Sequence, residues 1–219
     1  MKTCPAARKA RALSQKLRRV LTVSGGTAAR LRLLFVGVVV LTMAACKAEQ
    51  EYDMSNPVGF TFKTDLHATS LIARMIENSN TFLIIDAERN KGVVTLKITS
   101  NHGEKETITL STDRENYSVV AMGANNSIVV GCIFGYSLDQ TDNLFTYVAY
   151  DRQCPACLDQ YTGTDFPLSF AAGGLKMECA KCGRTYSLIS GGNSEDGHRM
   201  KTYHARYNKG AQTFSVTNQ

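Results

Sequence analysis

The chain lacks any apolar run long enough to cross a bilayer as a helix. Its most continuous one, Leu33 to Ala45, has thirteen residues, too few for a hydrocarbon core of ~30 Å. The marks of common enzyme classes are missing too. There is no His-Glu-x-x-His pair, no phosphate-binding loop and no nucleophile elbow with ordered Ser, His and Asp partners. No internal repeat or low-complexity segment interrupts the 219 residues, a length that suits one or two ordinary domains. Acid is absent from residues 1–45, which hold nine Lys/Arg; the remainder carries sixteen basic against nineteen acidic residues, a net of −3. The overall charge of +6 therefore belongs to the leader. A mildly acidic folded part gives no reason to propose nucleic-acid binding.

The leader has the layout of an export signal, with Arg30 and Arg32 ahead of the apolar run. It ends in Met43-Ala44-Ala45-Cys46, which resembles the lipobox of bacterial lipoproteins. In that family, small residues before the cysteine permit cleavage and the thiol is diacylated. Met43 departs from the usual leucine. The resemblance implies lipidation at Cys46 and a membrane-anchored protein of the bacterial cell envelope; Lys47 in place of aspartate favours the outer membrane. An ordinary cleaved signal with an incidental Cys46, or a mitochondrial presequence, are the alternatives. Residues 1–29 exceed an ordinary basic n-region, which a start codon placed too far upstream would explain, leaving Cys4 without a role.

Past residue 45 the expected organisation is a flexible tether over 46–57, an N-terminal β-rich lobe over 58–122 and a metal-binding domain over 123–219. The polar tether, with Glu49, Glu51 and Asp53, ends at Pro57. Period-two alternation then dominates, so the fold class is all-β with antiparallel sheets. Phe60 to Lys63, Thr81 to Ala87, Val93 to Thr99, Thr107 to Leu110 and Tyr117 to Met122 are expected strands, the second and third joined through Asn90-Lys91-Gly92. Only Thr69 to Asn78 has helical spacing, with Met75 as core. Later strands are expected over Ser127 to Phe134, with Cys132 a small buried hydrophobe, and over Phe145 to Tyr150. A hairpin from Lys201 to Val216 closes the chain. Asp65 and His67 are placed on one exposed strand face, His102 in a solvated turn, and Glu104 and Glu106 as solvated charge.

The chemistry is concentrated in two C-x2-C pairs, Cys154-Pro155-Ala156-Cys157 and Cys179-Ala180-Lys181-Cys182, with 21 residues between them. Two such turns can present four thiolates to one tetrahedral ion, at about 2.3 Å from each sulfur for zinc. Taken alone they describe a zinc ribbon or a rubredoxin-like knuckle. A pair of disulfides is the competing reading, open to an exported protein.

The surroundings of the second pair add a likeness. Cys179-Ala180-Lys181-Cys182-Gly183-Arg184-Thr185-Tyr186 resembles the second cluster-binding loop of Rieske iron–sulfur domains, Cys-Pro-Cys-His-Gly-Ser with an aromatic two positions on. Cys179 matches the first cysteine, Gly183 the glycine and Tyr186 the aromatic. Val148 to Cys154 looks like the strand that delivers the first Rieske loop, and Gly191-Gly192 with the closing hairpin fits the tail. The resemblance covers roughly 123–219 and points to the Rieske-like lipoproteins of Bacteroidota-type bacteria. It implies a Rieske-like fold for that part. Cys182 stands where the family has histidine, and no histidine accompanies Cys157, so the two-histidine iron of a Rieske centre is not expected. His198 and His204 match no ligand position.

Four sulfurs of this kind could instead hold one Zn2+, one iron or an all-cysteine [2Fe–2S] cluster. Zinc is the favoured cofactor, since a Cys4 site is closed to substrate and stabilises without catalysing. The expected function is a non-enzymatic, metal-stabilised binding or structural lipoprotein. The alternative is an electron-transfer lipoprotein with a redox or envelope partner.

Overall fold

The structure is a computed structural model and describes residues 57–134, 145–163 and 165–218. The expected export leader, Cys4, Cys46 and the expected tether up to residue 56 lie outside the described residues. Twelve strands and three short α-helices build the described part. In chain order these are β1 (Val58–Lys63), α1 (Leu71–Glu77), β2 (Thr81–Asn90), β3 (Val93–Ser100), β4 (Lys105–Thr109), α2 (Asp113–Tyr117), β5 (Val119–Met122) and β6 (Ser127–Phe134). There follow β7 (Phe145–Asp151), α3 (Pro155–Gln160), β8 (Leu168–Phe170), β9 (Lys176–Cys179), β10 (Thr185–Ser187), β11 (Thr202–Asn208) and β12 (Thr213–Thr217).

Nine strands form one sheet in the order β4-β3-β2-β6-β7-β11-β12-β1-β5, and β10-β9-β8 form a second. Every pairing is antiparallel, so the mostly-β, antiparallel expectation holds. The four strands from 123–219 lie between β4-β3-β2 and β1-β5 of 58–122 within the large sheet, with β2 on β6 and β1 on β12. The two expected lobes therefore share one sheet.

That sheet curls on itself. Its inward face places Phe60 and Phe62 of β1 in the same apolar cluster as Leu96 and Ile98 of β3, strands far apart in the strand order. Helix α1 adds Leu71, Ile72, Met75 and Ile76 to the same core. The curl is fastened across the ends: Arg89 of β2 donates to the Val119 carbonyl at 2.6 Å, and the Val94 amide donates to Asn116 Oδ1 at 2.8 Å.

The outward face of β2, β6 and β7 is covered as well. Phe82, Ile84, Val129 and Tyr150 pack there against Leu168, Met177, Tyr186 and Leu188 of the small sheet and its exit. Strand β6 is consequently sandwiched, buried from Ser127 to Cys132, which is why it reads as an unbroken apolar run and not as alternation. Gly131 belongs to this layer. A Cβ there would stand 2.1 Å from the Phe82 ring, the residue paired with it across the strands.

Two local expectations are corrected. Asp65 and His67 are not on a strand; they follow β1 in a turn, and His67 is half-buried, its Nε2 2.8 Å from Glu115 Oε1. Glu106 is not simply solvated, for its carboxylate accepts from the Leu71 amide at 2.7 Å, at the start of α1. The strand expected over Tyr117 to Met122 is present as β5 and starts at Val119. Helix α2 precedes it through a capping box, in which Thr112 Oγ1 accepts from the Glu115 amide and Glu115 reaches back to the Thr112 amide.

Candidate metal centre

The first cysteine pair leaves the large sheet at the end of β7. Cys154 has extended backbone and caps α3, with Pro155 at the first helical position, where its missing amide costs nothing. One helical turn then brings Cys157 round beside Cys154, with the Leu158 amide on the Cys154 carbonyl at 3.1 Å. This segment is tied to β8 by the Cys154 amide on the Phe166 carbonyl and the Leu168 amide on the Arg152 carbonyl, at 2.9 and 2.8 Å.

The second pair forms the turn between β9 and β10. Gly183 (φ +71°) supplies a left-handed conformation that is costly for other residues. Its amide donates to the Cys179 carbonyl at 2.8 Å, and the Cys179 amide donates to the Arg184 carbonyl at 3.0 Å. One pair is thus presented by a helical turn and the other by a hairpin turn.

All four sulfurs converge. Their Sγ atoms lie within 4.8 Å of one another. Two close pairs link the two loops, Cys157 to Cys179 at 3.6 Å and Cys154 to Cys182 at 3.7 Å. No two are bonded, and all are free thiols. Thiolates 2.3 Å from a central tetrahedral ion are separated by about 3.8 Å, so the donor set and its spacing fit one metal ion. Cys154, Cys157 and Cys179 are buried, while Cys182 is half-exposed. Cys132, the remaining described cysteine, lies in β6 in the other core cluster, near the Ile76 carbonyl.

Electrostatics separate the four thiols. Burial pushes Cys154 and Cys157 above the ordinary thiol value. Burial also opposes ionisation of Cys182, but hydrogen bonds from the Arg184 backbone and side chain outweigh it and bring that thiol down to about 6. A metal that binds all four must displace protons from the buried pair, and its charge compensates the thiolates.

Two neighbours of the sulfurs were invisible in the sequence argument. The Tyr186 hydroxyl stands 3.3 Å from Cys154 Sγ and can donate to it, orienting a ligand from outside the coordination sphere. In the sequence, Tyr186 carries only its place in the loop motif. Arg184 is itself held by Asp196. Alternation along 178–186 sends Tyr186 toward the core, but it does not name the sulfur that the hydroxyl meets.

His198 and His204 do not enter the centre. His198 Nε2 lies 4.0 Å from Asp196, and His204 pairs in register with Thr217 on β12. The only group of three or more His, Cys, Asp or Glu side chains close enough to hold an ion, among the described residues, is this set of four cysteines. No helix among the described residues is long and apolar enough to cross a membrane.

No protein-family model, no curated protein and no solved structure matches the chain.

Proposed function

We propose that the chain is an exported bacterial lipoprotein, anchored to the outer membrane through Cys46, whose folded part is stabilised by one Zn2+ on Cys154, Cys157, Cys179 and Cys182. The observation that carries the metal reading is the mutual approach of the four sulfurs, all within 4.8 Å, on loops from two different strand ends. Such spacing favours one ion over an all-cysteine [2Fe–2S] cluster, which holds its thiolates as two pairs on separate irons. Zinc fits a closed Cys4 set with three buried ligands, where no position is left for water or substrate. The role is structural, and the protein serves binding or assembly at the envelope, not catalysis. The likeness of 123–219 to Rieske domains belongs to this proposal; its support is that both cysteine loops are brought to one centre beside a small separate sheet.

Iron is the second reading, favoured by one feature: Cys182 is half-exposed, which would give an electron a short path to a partner. Colour separates the two, because zinc thiolates are colourless and iron thiolates absorb visible light. The deciding experiment is metal content per chain, by elemental analysis of protein from its native compartment, for wild type and for each ligand changed singly to serine. One zinc per chain, lost in each variant, is expected; a metal-free wild type without free thiols would replace the centre by disulfides. Anchoring is tested separately with Cys46→Ser, which should release the protein from membranes and abolish fatty-acid labelling. Unchanged partition would remove the lipoprotein reading and leave the metal reading standing.

A further inference from the structure

A cleft of about 630 Å³ opens on the outward side of the large sheet, away from the cysteines, within the size range of small-molecule sites. Its floor is a row across three strands, because Ile84 of β2 pairs with Thr99 of β3 and Thr99 with Lys105 of β4. One wall is the β8–β9 hairpin, with Ser169, Phe170 and the Gly173-Gly174 turn; the other is the turn around His102. Gly174 is pressed against this second turn, where a Cβ would stand 2.6 Å from the Asn101 carbonyl oxygen. The two walls therefore meet at one end and the cleft is closed there.

At the opposite end lies Arg152, whose guanidinium is fixed in advance. Its Nε donates to the Leu168 carbonyl at 2.9 Å, and its Nη1 donates to Asp86 Oδ1 at 2.6 Å and to Ser127 Oγ at 3.3 Å. Those bonds leave Nη2 without a protein acceptor among the described residues, in a side chain only 22% exposed. A guanidinium carries five N–H donors in a rigid fork, so two remain for a ligand. Lys105 Nζ, the Thr99 and Ser169 hydroxyls and the His102 ring likewise make no hydrogen bond or ion pair to a described residue, and all line the same space. Asp86 neutralises one of the two cations; the balance in the cleft is positive, on a folded part whose net charge is negative.

We infer that this cleft is a binding site for a small organic carboxylate, with one carboxylate on Arg152 Nη2, its body over Ile84 and Phe170, and a second anionic or hydroxyl group reaching Lys105 and Thr99. An immobilised guanidinium suits a planar carboxylate better than a lone ammonium does. Ile84 and Phe170 form the apolar part of the lining, which favours a ligand with a carbon skeleton over a bare inorganic ion. The site involves none of the four cysteines, so it stands or falls independently of the metal.

The test is isothermal titration of the full chain with succinate, with its neutral diamide and with inorganic phosphate. Succinate is expected to bind, the diamide not to bind, and phosphate to bind at least about tenfold more weakly. Lys105→Gln and Thr99→Val, both on side chains without structural partners, should each weaken succinate by about threefold to tenfold while leaving the melting temperature unchanged. Arg152→Lys should abolish binding, and because Arg152 also bridges Asp86, Ser127 and Leu168, its folding is checked by circular dichroism. Saturable succinate binding that ignores Lys105→Gln and Thr99→Val would overturn the site, as would no heat up to millimolar ligand. Phosphate binding as tightly as succinate would overturn the carboxylate assignment.

Discussion

At the scale of single residues, five described cysteines separate into two kinds by environment alone. Cys132 sits wholly buried among apolar neighbours in β6, and burial pushes its thiol up to about 11. Thiolate is the reactive form, so at neutral pH this side chain is inert as well as shielded. Cys182 is its opposite, half-exposed and held down to about 6 by Arg184 against the effect of burial. In metal-free protein at pH 7, iodoacetamide followed by peptide mass mapping should label Cys182 first, and Cys132 together with the buried Cys154 and Cys157 much more slowly. Equal labelling rates under folded conditions would contradict the assignment. Cys132→Ala should retain full metal content and cost only about 1 kcal/mol by denaturant unfolding, the scale of a small cavity. Sequence spacing sufficed to group the cysteines into two close pairs, because x2 spacing places two sulfurs on one turn whatever surrounds it. The Tyr186 hydroxyl beside Cys154 was not legible, since nothing local says which atom a buried tyrosine oxygen will reach across 32 positions.

At the scale of elements, strands were readable wherever one face is solvated. Strand β3 alternates in burial almost perfectly, and the hairpin from β2 follows from its two-residue turn. That turn puts Lys91 at φ +49° and Gly92 at φ +86°, a pair of positive values that suits Asn-Gly far better than Lys-Gly. Lys91→Asn should therefore stabilise the protein by about 0.5–1 kcal/mol, measured by urea unfolding; no gain would mean the turn relaxes in solution. Helices α2 and α3 were not legible, because five and six residues are too few for a period of 3.6 to show. What makes α2 is its cap. Glu115 is buried, and although burial opposes its charge, hydrogen bonds from His67 and Thr112 outweigh this and hold its carboxyl below the ordinary value. A carboxyl depressed in the folded state stabilises fully above its unfolded value of ~4.3, and loses that contribution as pH falls through the folded value. Glu115→Gln is accordingly expected to cost about 1–2 kcal/mol at pH 7. The gap between variant and wild type should shrink as acid is added below pH ~4. A gap that stays constant down to pH 3 would show that the charge contributes nothing.

At the scale of the whole fold, the described residues form two apolar clusters sharing one layer of strands. The inward cluster is filled from all nine large-sheet strands and from α1, and it is fastened across the curl by Arg89 and Asn116. The outward cluster is smaller and is built around the cysteines themselves, with Leu168, Met177 and Tyr186 packed on Phe82 and Val129. Its small sheet has strands of only three or four residues, short of what isolated pairing can support in water. The segment from Arg152 to Leu188 therefore depends on something besides hydrogen bonds, and a tetrahedral ion joining both loops would supply it. Structural zinc contributes ~10–16 kcal/mol of apparent binding energy in small peptides, far more than the handful of backbone bonds holding β8 to β10. If the ion is present, chelation should act unevenly. Amide hydrogen exchange should accelerate first across 152–188, while β1, β11 and β12, which face only the inward cluster, keep their protection. Strand β6 would lose cover on one face and keep it on the other, so its exchange should fall between these limits. Restoring one equivalent of Zn2+ should return the slow pattern. Uniform acceleration over all strands would mean that the two clusters fold as one cooperative unit. No change on chelation would mean that the cysteine loops hold themselves together, and the metal would lose its structural role.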